Sequence, residues 1–135
     1  MADLEDFLVM YYPRTTEVQQ AFGKCRAQME ANVPAQEVVA SIDLAIEKID
    51  SVRKAVRWYS PRNAEVEKIR QNYLDLHDAQ IVVLNLARKG LTTKDEAISK
   101  QTMADFIQAI AKDLDPATTK ATNSVERYAA TLGLK

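Results

Sequence analysis

The chain has 135 residues, enough for one domain and too few for two ordinary ones. Hydrophobic residues make up 47% and charged residues 27%, as in typical globular proteins, and the net charge of −1 gives no global signal for nucleic acid or a membrane surface. A single cysteine, Cys25, and a single histidine, His77, exclude an internal disulfide, multi-thiolate metal sites and paired-histidine metal sites. We therefore expect no metal and no cofactor.

Prolines and glycines mark the predicted helix boundaries. Proline lacks a backbone N–H and fits the first turn of a helix, whereas glycine favours the position after a helix ends. Between them, hydrophobic side chains recur every three or four positions, as in amphipathic helices. The predicted starts are Pro13, Pro34, Pro61 and Pro116, and the predicted stops are Gly90 and Gly133. The pattern predicts a short helix at 3–12 and main helices at 14–32, 35–59, 62–89, 93–114 and 116–132.

Polar residues beside these boundaries are typical helix caps. Ser60 and Asp115 each precede a proline and are predicted N-caps. Thr92 and Thr93 are each followed three residues later by an acidic side chain, the pattern of a capping box. We predict an all-α fold, an antiparallel helical bundle forming a single domain over 1–135. It has four to five main helices plus the short N-terminal helix and is built on a long central hairpin of helices 35–59 and 62–89.

Cationic and aromatic side chains gather where the two central helices meet. This basic–aromatic joint comprises Arg53, Lys54, Arg57, Trp58, Tyr59 and Arg62. The helix register places Trp58 near the edge or outside, with cations four residues to either side of it. A stacking surface beside cations suits a protein contact, an anionic ligand or single-stranded nucleic acid. The same residues also fit a helix C-terminus that favours cations, with the indole folded over the joint.

Charge is segregated along the chain although its total is near zero. Residues 53–70 carry six basic and two acidic side chains, whereas residues 1–50 carry four basic and nine acidic ones. Unlike charged ends favour head-to-tail contact between copies, which produces rings or open filaments.

The N-terminal segment is more hydrophobic than one buried helix face requires. Residues 7–12 are all hydrophobic or aromatic and include Phe7, Met10, Tyr11 and Tyr12. A helix that is hydrophobic on every side has to be covered on every side. Either other helices of the same bundle cover it, or a second subunit does. The run is far shorter than the roughly 20 residues of a membrane span, and acidic residues precede it, unlike a secretory signal. We therefore expect no membrane association and a cytoplasmic or otherwise intracellular location.

Arg70 and His77 lie seven residues apart, which places them on nearly the same face of one helix. An arginine can stabilise phosphate charge while a histidine transfers a proton. The spacing resembles the Arg-x(4–6)-His signature of HEPN helical ribonucleases, although Gln71 follows the arginine where that family commonly has Asn, Asp or His. The resemblance implies metal-independent RNA cleavage by these two residues. The alternative is a buried His77, hydrogen-bonded to Tyr73 or to a partner on another helix.

Two further groups have structural interpretations that we prefer. Cys25 could act as a nucleophile with His77, but it falls in a hydrophobic stripe and is predicted to pack in the core. Asp43, Glu47 and Asp50 share one helix face and could bind a divalent cation, but the pattern is typical of a solvated face.

The sequence therefore favours a non-catalytic interaction or assembly protein, a self-associating subunit or an adaptor in a larger complex. Its predicted contact surfaces are the N-terminal segment and the basic–aromatic joint, the latter with nucleic acid as a further possible partner. The alternatives are the HEPN-like ribonuclease, which would use Arg70 and His77, and a small inhibitor that binds a partner enzyme.

Overall fold

The computed structural model describes residues 2–31 and 33–133, and over these ranges the chain is an all-α helical bundle, as predicted. Its helices are α1 (Ala2–Glu30), α2 (Ala35–Trp58), α3 (Ala64–Thr92), α4 (Glu96–Ala109) and α5 (Asp115–Thr131), with a π-helical turn over Ile110–Leu114. Because that turn joins α4 to α5 without a break, the described residues form four long rods. Asn32, the last residue of the predicted helix 14–32, lies outside the described residues.

Neighbouring rods pack antiparallel. Along the α2–α3 interface, Arg53 bonds to Asp78 near one end, and Asp43 bonds to Arg88 nearer the other end. The core runs along the inner faces of all four rods. Its fully covered side chains include Phe7, Val18, Ile42, Ile49, Val56, Val66, Ile69 and Leu84. The hydrophobic residues that recur every three or four positions in the sequence therefore form the buried faces of the helices.

Pro13 lies inside α1, so the predicted boundary between helices 3–12 and 14–32 is wrong. A proline within a helix removes one backbone hydrogen bond and disturbs the turn before it. Side chains here donate to nearby carbonyl groups: Arg14 Nη1 to Met10 O at 2.6 Å and Thr15 Oγ1 to Tyr12 O at 2.8 Å. Pro13 is itself exposed, so water can reach this part of the backbone.

Pro116 likewise does not start a new rod. Asp115, the predicted N-cap, has helical dihedrals, φ −61° and ψ −45°, and the π-helical turn leads directly into α5. A π turn widens the helix by one residue, which is one way to accommodate a missing N–H donor and the bulk of a proline ring.

The turn between α3 and α4 also differs from the prediction. Gly90 is buried inside α3 instead of ending it, and the helix continues to Thr92. A Cβ atom at position 90 would lie 2.6 Å from Met103 Sδ, so α4 approaches the backbone of α3 closely at this glycine. The predicted capping box is absent from this described turn. Asp95 is the N-cap of α4 instead, and its carboxylate accepts the Ile98 N–H at 3.1 Å.

The ends of the other helices agree better with their sequence signals. Pro34 lies at the N-cap position of α2, and Gly133, with φ +76°, follows the end of α5 as predicted. α3 begins slightly later than expected, because Asn63 rather than Ser60 is its N-cap. Within the described ranges, no helix is both long enough and hydrophobic enough to cross a bilayer.

Candidate functional site

The connection between α2 and α3 is held in place by the start of α1. Asp3 Oδ2 accepts the backbone N–H groups of Arg62 at 3.0 Å and Asn63 at 2.8 Å, and Tyr59 Oη donates to the Asp3 carbonyl at 3.1 Å. Asn63 then caps α3 through the Glu65 N–H at 2.7 Å. A carboxylate beside a helix N-terminus is favoured by the helix dipole. No local sequence pattern signals this contact, which fixes the conformation of the connection.

Trp58 projects outward directly before this connection. It is the last residue of α2, and 83% of its surface is exposed. Arg57 and Arg62 flank it, are exposed, and form no ion pair with any described residue. The indole therefore does not fold back over the connection, and the two cations beside it are available for contact.

The other two cations of the basic–aromatic joint are paired. Arg53 bonds to Asp50 at 2.7 Å and to Asp78 at 2.8 Å, and its side chain is mostly covered. Lys54 bonds to Asp50 at 3.3 Å but remains exposed. Hydrogen bonds from Arg53 and Lys54 lower the pKa of Asp50, and those to Asp78 and Asp50 raise the pKa of Arg53. Arg53 therefore joins α2 to α3 and does not lie on an exposed contact surface as the sequence predicted.

The N-terminal segment is covered on one face only. Phe7 and Tyr11 are buried, so the expectation that they contact a partner is corrected. Phe7 stacks on Tyr11 with ring centroids 5.5 Å apart and meets Tyr59 edge-on at 5.4 Å. Tyr11 lies against Tyr73 at 4.3 Å. The cause is that α1 packs across α2 and α3. These two helices cover the inner face of the N-terminal segment, for which the sequence left two covering partners open.

The opposite face of this segment is open to solvent. Val9 is 74% exposed and Tyr12 is 49% exposed, whereas Met10 is half-buried. Val9 lies within the predicted contact segment 7–12, although Phe7, Met10, Tyr11 and Tyr12 were the residues singled out there. Its position two residues from both Phe7 and Tyr11 places Val9 on the far side of the helix. The helical period therefore predicts that Val9 is exposed when Phe7 and Tyr11 are buried.

Arg70 and His77 have separate structural roles. Arg70 Nε donates to Glu67 Oε2 at 2.7 Å, and its Nη1 donates to the Arg57 carbonyl at 3.3 Å, at the C-terminal end of α2. These contacts raise the pKa of Arg70 and lower that of Glu67, chiefly through their shared hydrogen bonds. The guanidinium is largely covered and occupied.

His77 is only 2% exposed and lies in a buried polar network. Gln80 Oε1 can only accept, so His77 Nδ1–H donates to it at 2.8 Å. His77 Nε2 then accepts from Tyr11 Oη at 2.8 Å, the cross-helix bond that the structural interpretation predicted. Burial lowers the pKa of His77. RNA cannot reach this imidazole in the bundle, so the geometry gives no support to the ribonuclease alternative, which stays a prediction.

Cys25 lies in the core, as we preferred, and two of the three carboxylates on the acidic face of α2, Asp43 and Asp50, form ion pairs. Cys25 is buried, and burial raises the pKa of its thiol. It borders a cavity of about 50 Å³ between α1 and the α4–α5 rod, lined also by Phe22, Met29 and Phe106. It lies fourteen residues beyond Tyr11 on α1, about 21 Å along the axis. The thiol therefore does not meet His77. In the part of the chain that the structure describes, no three acidic, cysteine or histidine side chains converge as metal ligands.

The charge segregation of the sequence is not preserved in space. Asp3 and Asp6 line one recess of about 270 Å³ together with Tyr59, Ser60 and Arg62. Burial raises the pKa of Tyr59, and the Asp3 and Asp6 carboxylates raise it further. Acidic residues of α1 thus lie beside Arg62 of the α2–α3 connection. This mixture weakens the case for a polyanion, because part of the positive potential is cancelled locally.

Comparison with protein-family models, with curated proteins and with solved structures gives no match for this chain. A proposal of function therefore rests on the geometry of its exposed and buried side chains.

Proposed function

We propose that this protein is a non-catalytic interaction and assembly protein that self-associates through one end of its bundle. That surface, the Trp58 end, comprises Arg57 and Trp58 at the end of α2 and Arg62 in the α2–α3 connection, all of them exposed. The single observation that carries the proposal is the exposure of Trp58, at 83%, directly before a connection that hydrogen bonds hold in one conformation.

An exposed tryptophan on a rigid support is typical of a binding hot spot. Tryptophan and arginine are enriched among residues that dominate binding energy, and a fixed backbone reduces the entropy lost on binding. These features support a contact surface and do not depend on any catalytic group.

The expected affinity follows from the area that contact would cover. Covering one tryptophan side chain of roughly 200 Å² is worth about 5 kcal/mol at about 25 cal/mol per Å². Two copies would cover two such side chains, about 10 kcal/mol in total, against an association cost of about 4–15 kcal/mol. The balance is small, so we expect an assembly that dissociates on dilution rather than a permanent one.

Light scattering over a wide range of protein concentration tests the proposal. We expect the mass to rise above the 15.2 kDa of one chain as the concentration increases. Trp58→Ala removes this side chain from both copies and should weaken the assembly by at least about 2 kcal/mol, or roughly 30-fold. Ile107→Ala is the matched control, because Ile107 is exposed on α4, away from the Trp58 end, and its loss should leave the assembly unchanged. A mass that stays at one chain at every concentration would contradict the proposal.

A further inference from the structure

A polar groove lies on the surface of the bundle between α3 and α5. It consists of two adjoining recesses of about 670 and 470 Å³, which share Asn72 on α3 and Ser124 and Arg127 on α5. Binding sites for small molecules have volumes of about 300–1,000 Å³. The groove therefore has the size of a small-molecule site, and none of its lining residues belongs to the Trp58 end.

Polar side chains with free hydrogen-bonding groups line the larger recess. Over residues 2–31 and 33–133, neither a hydrogen bond nor an ion pair engages the side chains of Asn72, Thr119, Lys120, Asn123 and Arg127. Asn72 and Asn123 are half-buried, so their amide groups have lost part of their contact with water without gaining a partner in the described bundle. Two such amides that line one recess are available to a polar ligand.

The helical period of α5 places three of these side chains in one row. Thr119, Asn123 and Arg127 recur every four positions, so they lie on the same face of the helix. The π-helical turn Ile110–Leu114 precedes this row, and its small residue Ala111 lines the larger recess. π-helical turns are frequent at functional sites in proteins. The turn thus gives a second, independent reason to regard this recess as a site.

The larger recess carries a net positive charge. The Lys120 ammonium and the Arg127 guanidinium are its cations, and Asp115 supplies one carboxylate. Lys120 precedes Asn123 by three residues and Arg127 follows it by four, so the two cations flank that amide on one face of α5. Arginine can donate two parallel hydrogen bonds to a phosphate group, and lysine is a common phosphate ligand. The arrangement is therefore suited to a phosphate group.

We propose that the groove binds the phosphate group of a small phosphorylated molecule. Lys120 and Arg127 bind the phosphate oxygens, and the Asn123 amide donates to them between the two cations. Asp115, in the same recess, accepts a hydrogen bond from a hydroxyl group of the ligand. Glu65, the carboxylate of the smaller recess, is paired with a lysine at 3.4 Å, so it repels a nearby phosphate less.

Isothermal titration calorimetry with glucose 6-phosphate, inorganic phosphate and glucose tests the site. We expect saturable binding of glucose 6-phosphate and none of glucose, which lacks the anion. Tighter binding of the ester than of inorganic phosphate supports a phosphorylated molecule as the occupant, whereas equal or tighter binding of inorganic phosphate supports free phosphate at the same residues. Binding of glucose as tight as that of its phosphate ester would overturn the proposal. So would the absence of saturable binding for both phosphate-bearing probes.

Substitutions in the groove show whether these residues are the ones that bind. Asn123→Asp replaces amide donors by a carboxylate of nearly the same shape, and Arg127→Gln removes a charged donor. Each should weaken phosphate binding by at least about tenfold. The matched control is Asn85→Asp, which makes the same substitution at an exposed position of α3 outside the groove and should bind like the wild type.

Far-UV circular dichroism checks that each variant is folded. Equal weakening in Asn85→Asp and Asn123→Asp would mean that overall charge governs binding, and it would overturn the site. Wild-type affinity in both groove variants would overturn it too.

Discussion

Acidification should weaken the docking of α1 on α3 through His77. This residue is buried and uncharged, donates from Nδ1 to Gln80, and accepts at Nε2 from Tyr11. Protonation would place a charge in the core and would leave the Tyr11 hydroxyl without its acceptor. Burial lowers the pKa of His77, and the Gln80 hydrogen bond and the Asp78 carboxylate offset this only in part. Folding therefore favours the neutral ring.

The direction and size of the effect follow from linkage. The folded pKa lies below the unfolded value of about 6.5, so the unfolded chain takes up the proton first as the pH falls. His77 thus contributes full stability above about pH 6.5, and this contribution is lost as the pH falls toward the folded pKa. One proton limits the loss to about 1.4 kcal/mol per pH unit. His77 is the single histidine of the chain, so no other histidine adds to this pH dependence. Carboxylates have ordinary pKa values near ~4 and change the stability little until the pH falls further.

Urea unfolding followed by circular dichroism at several pH values between neutrality and about pH 5 measures this slope. The matched control is His77→Gln, which carries no charge in this range. We expect the wild type to lose stability as the pH falls and the variant to show a flat profile, whatever its absolute stability. Equal slopes in the two proteins, or a flat wild-type profile, would refute the assignment of His77 as a buried neutral group.

Two further substitution pairs test the packing of the bundle by urea unfolding. Tyr11→Phe leaves His77 Nε2 without a donor and should lower the free energy of unfolding by about 1–3 kcal/mol. Tyr12→Phe makes the same change on a half-exposed side chain and should alter that free energy by no more than about 0.5 kcal/mol. Equal losses in the two variants would contradict the buried network. Gly23→Ala should stabilise the protein by about 0.5–1 kcal/mol, since its Cβ meets nothing within 4 Å in mid-helix. Gly90→Ala should lose that gain because its Cβ would press on Met103, and an equal gain at both glycines would contradict the close approach of α4.

The helical class and the inner faces of the rods could be predicted because they depend on local period. Ile42, Ile49 and Val56 recur at a spacing of seven and are all fully buried on α2. The same register placed Trp58 outside that face. These features need only the geometry of one helix, and the sequence contains that geometry directly.

Contacts between distant residues could not be predicted from local pattern. The bond between Tyr11 and His77 joins residues 66 apart, and Asp3 reaches Asn63 across 60 positions. Both contacts depend on which helices become neighbours in the fold, and local sequence pattern does not determine this. Pro13 illustrates the same limit at short range, because a proline starts a helix by propensity, yet the surrounding packing keeps α1 continuous through it.

The fluorescence of Trp58 tests self-association through the Trp58 end most directly, because Trp58 is the single tryptophan of the chain and belongs to that surface. As the protein concentration rises, we predict that its emission shifts to shorter wavelength and that a dissolved quencher reaches it less, in step with the increase in mass. An increase in mass with unchanged emission and quenching would place the interface elsewhere and contradict the account.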